Sequence, residues 1–193
     1  MAVNAQKVLV GMPDQATTGA ILSAPLGTTL PTSAVDTLDA TFGDSGFVSS
    51  DGLTLGLDIS TSDIRDWSGS LVRRLKESFD GTLSWTHLET NEAALKNAFG
   101  NSNVTATAAN TTHGAQLAVA INGELPAAKS WVFKMKDGTN RIMIVVPNGQ
   151  VTSLADVNFT SSDAIGWEVT LAAYPDSSGN HIYIYTDDGV TTA

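Results

Sequence analysis

Cysteine is absent and positive charge is scarce: 20 Asp and Glu stand against 10 Lys and Arg, a net charge of −10. Without cysteine there are no disulfides and no thiolate metal sites. No apolar run approaches the roughly 18 residues needed to cross a membrane. The N-terminus MAVNAQKVLVGMPDQ has one lysine and an apolar run too short for a signal peptide. The expectation is a soluble, cytoplasmic chain. A shortage of Lys and Arg argues against nucleic acid as a tightly held partner, because phosphate affinity comes from those residues. It does not argue against a surface that must let DNA pass without sticking.

Chemical signatures are equally sparse. The three histidines, His87, His113 and His181, are scattered and show no HExxH spacing. No GxSxG elbow, GxGxxG or GxxxxGK[ST] occurs, and no Asp-Gly pair opens a DxDxDG calcium loop. Three N-x-T sequons, at Asn103, Asn110 and Asn158, read as coincidental without a signal peptide. A carboxylate hydrolase would need paired acids in a cleft, which a sequence does not display. No catalytic residue, metal or cofactor is expected.

What is present suits a β-rich domain. The chain has 193 residues, 42% of them hydrophobic and 16% charged, enough for a sizeable core. Its 17 glycines and many Thr, Ser, Asn and Asp imply frequent turns. Charge is unevenly placed. Residues 1–62 carry six acids and Lys7 alone, and residues 148–193 carry six acids and no base. The segment DIRDWSGSLVRRLKESFDG puts Arg65, Arg73, Arg74 and Lys76 within twelve positions, beside Trp67. A second island holds Lys129, Lys134, Lys136 and Arg141 against Asp137. Both islands are expected to face acidic surface, elsewhere in the chain or on a neighbouring subunit.

Periodicity supplies the elements. LTLGLDI alternates Leu53, Leu55, Leu57 and Ile59 with Thr54, Gly56 and Asp58, a half-buried strand. FDGTLSWTH repeats this with Phe79, Leu83 and Trp85. Between them LVRRLKESF fits a strand or, with Leu71, Val72, Leu75 and Phe79, a helix capped by Ser70; the strand is preferred. TNEAALKNAFG is a helix with Thr90 or Asn91 as N-cap, Glu92 at its positive end and Gly100 past its end. Leu88, Leu95, Ala98 and Phe99 would be its buried side. In SWVFKMKDGTNRIMIVVP a loop at Asp137–Asn140 pairs Lys136 with Arg141, Met135 with Ile142, Phe133 with Ile144 and Trp131 with Val146. One face is then wholly apolar, at roughly 1.5–3 kcal/mol for each large side chain buried. Lys136 and Arg141 lie opposite each other, so an acidic partner is expected there. IGWEVTLAAYP and HIYIYTDDG add two strands around the turn DSSGN. About eight strands and one helix give an antiparallel β-sandwich or barrel with a helix packed on it. Residues 1–50, low in charge and rich in Thr, Ser, Gly and Pro, read as an extended arm or loop with one or two strands that lies along something else; residues 1–40 are assigned to the arm and loop and residues 41–193 to one domain.

Several long phrases in order, DIRDWSGSLVRRLKESFDGTLSWTHLETNEAALKNAFG, GELPAAKSWVFKMKDGTNRIMIVVPNGQ and DAIGWEVTLAAYPDSSGNHIYIYTDDG, resemble the tail tube (major tail) proteins of long-tailed phages of actinobacteria. The resemblance covers about residues 40–189. It implies a structural virion protein, assembled in the host cytoplasm, whose copies form hexameric rings stacked into a hollow tube. A tape-measure protein, a tail tip or initiator and a terminator would be its partners. DNA would pass through the lumen without specific binding. The extra immunoglobulin-like domain that some such proteins append is not expected here. On this reading Asp63, Arg65, Asp66, Trp67, Arg73, Arg74, Lys134, Lys136 and Arg141 are candidate inter-subunit contacts. A stand-alone glycan-binding sandwich is the competing reading, with Trp67, Trp85, Trp131 and Trp167 as stacking surfaces; Trp85 and Trp131 lie in the apolar phase of their strands and are expected in the core.

Overall fold

The computed structural model describes residues 7–14 and 19–191. Its strands are β1 (Met12–Pro13), β2 (Ile21–Pro25), β3 (Gly43–Asp44), β4 (Thr54–Arg65), β5 (Leu71–His87), β6 (Val104–Thr107), β7 (Gln116–Val119), β8 (Lys129–Asp137), β9 (Asn140–Leu154), β10 (Trp167–Tyr174) and β11 (Tyr183–Asp187). The α-helix α1 spans Glu92–Phe99. One antiparallel sheet runs in the order β3-β2-β8-β9-β10-β5-β4, with β1 beside β8 and β11 beside β9; β6 and β7 pair separately.

The β8–β9 register is the expected one: Lys136 faces Arg141, Met135 faces Ile142, Phe133 faces Ile144 and Trp131 faces Val146. The ladder continues to Asp137 opposite Asn140, so the turn itself is Gly138–Thr139, with Gly138 at φ +60°. The other side of β9 serves two strands end to end. β11 pairs with Arg141–Val145 and β10 with Asn148–Leu154. Pro147 sits between these two ladders, where a residue without an N–H leaves no donor unpaired; its carbonyl accepts from Ser130 Oγ at 2.7 Å.

The sheet curls over its own core. β8 and β5 are three strand spacings apart, about 14 Å if flat. Yet the Trp85 ring lies 5.3 Å from both Trp131 and Phe133, edge to face. Leu83, Trp85, Trp131, Phe133, Val146, Val151, Val169 and Leu171 form this core, with Ile21 and Ala98 closing it. Packing leaves no slack at Gly149: an added Cβ would lie 3.0 Å from side-chain atoms of Leu171, Trp131 and Val146.

The second face of the β8–β9 hairpin is also buried. Val132, Met143 and Val145 pack against Leu22, Ala24, Ala34 and Phe42. Residues 19–42 therefore differ from the expected arm. β2 lies inside the sheet, between β3 and β8, with Ile21 in one core and Leu22 in the other. A strand apolar on both faces has no period-2 signature, which is why it resembled loop.

α1 has the expected ends. The Asn91 side chain accepts from the Ala94 N–H at 2.8 Å, and Gly100 follows at φ +93°, a conformation that favours glycine. Ala94, Leu95, Asn97 and Ala98 are its buried side, Phe99 is half-buried, and Leu88 lies outside the helix and is exposed. The ambiguous stretch 71–79 is strand: it is the outer part of β5, paired with β4 apart from irregularities at Val72 and Glu77.

Candidate assembly interface

β4 and β5 form a hairpin much longer than the core that supports it. Near its base Leu55 pairs with Leu83, and both contribute to the core. The same face continues outward to Leu57 and Ile59, paired with Gly81 and Phe79, yet both aliphatic side chains are 59% exposed. Their alternation predicted burial, and on this chain alone they do not receive it. Alternation identifies an apolar face but not what covers it. Further out Ile64, Leu71 and Val72 are exposed as well.

The tip is a tight turn organised by Asp66. Its carboxylate accepts from Ser68 Oγ at 2.7 Å and from the Ser70 N–H at 2.8 Å. Those bonds, Ser68 first, hold the carboxyl below its usual range. Gly69 takes φ +85°. This lifts Trp67 fully into solvent, at 104% relative exposure.

Charge along the hairpin is partly answered within it. Asp63 lies opposite Arg74 across the two strands and accepts from its Nε at 2.8 Å and from Arg65 at 3.3 Å. The Arg74 bond, above all, holds the Asp63 carboxyl low and raises the guanidinium in turn. Arg65 also donates to the Gly69 carbonyl at 3.0 Å. Lys76 rests over the Phe79 ring, 5.3 Å from its centre. Among the described residues Arg73 has neither ion pair nor hydrogen bond through its side chain.

The second basic island is resolved differently. Asp14, on the segment carrying β1, accepts from Lys136 Nζ at 3.0 Å and Arg141 Nη1 at 3.1 Å. The acidic partner expected for this like-charged pair thus comes from the chain's own N-terminal segment, which sequence reading did not single out. The Val10 N–H donates to Asp137 at 3.0 Å, tying the same segment to the hairpin end. Lys134 is half-buried beside this contact. Along the segment Val8, Val10 and Met12 remain exposed.

The tryptophans do not form a platform. Trp85 and Trp131 are in the core, and Trp167 packs edge-on against Phe99 and bonds Thr90 Oγ1 at 3.1 Å. Only Trp67 is open, and one ring at a hairpin tip is not a sugar-stacking surface. Among the described residues no group of three His, Asp or Glu is placed to hold a metal ion, and no helix is long and apolar enough to cross a membrane.

Three solved structures resemble the chain at low identity. The tube-terminating cap of the anti-feeding prophage shares 14% identity over 97% of this chain and 100% of its own, with a TM-score of 0.46. The sheath-tube complex of the PVC extracellular contractile injection system shares 12% over 96% and 100%, at 0.44. The virion of a native gene transfer agent particle shares 11% over 78% and 92%, at 0.42. No curated protein sequence matches. The family model described as "Phage tail tube protein" matches residues 1–193, the whole length of the sequence. The chain belongs to the phage tail tube protein family and is a structural protein of the virion tail.

Proposed function

We propose that copies of this chain close into hexameric rings, that the rings stack into the hollow tail tube of a long-tailed phage of actinobacteria, and that DNA leaves the capsid through the lumen. The observation that carries this is the outer half of the β4–β5 hairpin. It holds Leu57 and Ile59, each 59% exposed, on a face continuous with the core, and Trp67 fully exposed at the tip. An exposed apolar face on a stable strand pair is an interaction surface. β4 also presents a free edge of twelve residues, which ring closure would pair.

Arg65, Trp67, Arg73 and Arg74 are the contacts we assign between subunits, with Asp63 and Asp66 shaping the tip that presents them. Lys134, Lys136 and Arg141, gathered around Asp14, are assigned to the contact made by the N-terminal segment. The acid excess suits a conduit, since carboxylates along the lumen repel phosphates and let DNA slide. A tape-measure protein, a tail initiator and a terminator would set the length and ends of the tube in the host cytoplasm. The role needs no catalytic residue and no cofactor.

Electron microscopy of the purified protein, or of the protein co-produced with tail initiator and tape-measure proteins, tests this. Rings or tubes of uniform width and sixfold symmetry are expected; a chain that stays monomeric under all these conditions refutes the reading. The double substitution Arg73→Glu with Arg74→Glu should abolish tubes while the subunit melts as the wild type does. Normal tubes from that variant would remove the hairpin cations from the interface.

A further inference from the structure

A second feature lies at the junction of α1, β2 and β8. Asn97 is on the buried side of α1, 3% exposed. Its Oδ1 accepts from Ser23 Oγ on β2 and from Lys129 Nζ at the start of β8, each at 2.9 Å. A lysine can only donate, so this contact fixes which end of the amide is oxygen. The other end, Nδ2, is buried without an acceptor. Lys129 is itself half-buried, and among the described residues this one neutral oxygen is its side chain's only hydrogen-bond partner. Burial first, and then nearby Lys96, bring its ammonium down to about 8. Lys96 is neutralised by Glu92 on the same helix, and no ion pair among the described residues includes Lys129.

A half-buried cation without a counter-charge and a buried amide without an acceptor are both unfavourable. The cation, whose Nζ already lies 2.9 Å from the Asn97 oxygen, is answered by an anion. We propose that Lys129 and Asn97 form a receptor for a carboxylate carried by a second copy of this chain. The inference rests on the tube reading, since it requires copies in contact. Charge supports this occupant. Among the described residues the ion pairs use Asp14, Asp63 and Glu92 out of the chain's 20 acids, so each copy presents a large carboxylate surplus. Residues 148–193 contribute six acids with no base among them. In the basic island that begins at Lys129, Lys136 and Arg141 already share Asp14, whereas Lys129 has no anion among the described residues.

The test compares tube yield by pelleting for the wild type, Lys129→Met, Lys129→Arg and Asn97→Asp, from pH 7 to pH 10, with and without inorganic phosphate. Near-ultraviolet circular dichroism confirms that each soluble subunit is folded. Lys129→Met removes a charge that the lone subunit leaves unpaired, so the fold should survive. The concentration needed for tubes should rise about tenfold or more. Lys129→Arg should retain assembly. Asn97→Asp supplies an internal carboxylate, so it should satisfy Lys129, repel the incoming one and weaken assembly as Lys129→Met does.

The pH dependence has a definite sign. Pairing in the tube raises the ammonium above its value of about 8 in the free subunit. Its contribution to assembly is therefore full below about 8 and is lost as pH climbs through the higher, paired value. Wild-type yield should show this loss and Lys129→Met should lack it; Lys96 and Glu92, which face the same junction, are unchanged in both. Tubes from Lys129→Met at the wild-type concentration overturn the inference and leave the tube reading intact. So does phosphate binding to the free subunit through Lys129 when tubes do not depend on that residue, which makes the site a receptor for a free ion. Absence of wild-type tubes under every condition overturns the tube reading, and this inference with it.

Discussion

From Thr54 to Gly56, opposite Thr82 to Ser84, the β4–β5 hairpin belongs to the body of the subunit; from Leu57 outward the same ladder leaves it. At the base Leu83 is fully buried, and Trp85 beyond it meets three aromatic neighbours: His87, Trp131 and Phe133. Further out, Leu57 and Ile59 occupy the same face of the same strand pair and are mostly in water. Backbone pairing is continuous through both halves, apart from two local irregularities. The difference is cover alone. A hairpin can be held rigid by its base and carry an apolar face outward at little cost to the subunit, because the base alone fixes the register.

Substitutions should separate the halves, the largest effect first. Trp85→Ala at the base should destabilise the subunit by about 3–5 kcal/mol, measured by denaturant unfolding. A loss comparable to that of an exposed residue would mean that the base is not packed as described. The buried end of β5 adds a pH effect. Burial depresses His87 to about 4, its Nδ1 has no partner among the described residues, and its Nε2 accepts from Trp85 Nε1 at 2.9 Å. The unfolded chain takes up this proton near 6.5 and the folded one does not. Stability is therefore full above about 6.5 and falls as pH drops toward 4, by up to about 3 kcal/mol. Unfolding of the wild type and His87→Gln at pH 7.5 and 4.5 checks this: the variant should lose less.

Gly149→Ala, in the packing around Trp131 and Leu171, should cost about 1–3 kcal/mol, because three side chains must give way. A neutral result would show that the core has slack. At the outer half, Leu57→Ser and Ile59→Ser should each change subunit stability by no more than about 0.5 kcal/mol. Tubes should nevertheless fail to form. Should either residue prove as costly to the free subunit as Trp85, the two halves would not differ, and the hairpin would be covered by its own chain.

Much of this architecture was legible in the residues, and the reasons differ by element. The β8–β9 register followed from the DGTN turn and from alternation on both sides, since a slip of one residue would have turned Trp131 and Phe133 away from the core. The limits of α1 followed from Asn91 and Gly100. β2 was not legible, because Ile21, Leu22 and Ala24 bury both faces amid Thr, Ser and Pro. Neither was Asp14, which reaches Arg141 across 127 positions with no local signal. Within the hairpin the cluster of cations was visible, but its division was not: Asp63 holds Arg65 and Arg74 while Arg73 stays open. Lys129 was counted with the basic island, and nothing local placed its ammonium against Asn97 on a helix 32 positions away.

β2 has a consequence for the order of events during synthesis. Its partners in the sheet are β3, two residues long, and β8, which begins at Lys129. A ribosome that has delivered Ile21–Pro25 must deliver the β4–β5 hairpin, α1 and the whole of β8 before that strand has a full-length neighbour. Local pairs such as β4 with β5 close short loops and need not wait, whereas β2 must bridge more than half the chain. The first five-residue strand to be made thus stays without a full-length partner until β8 is complete.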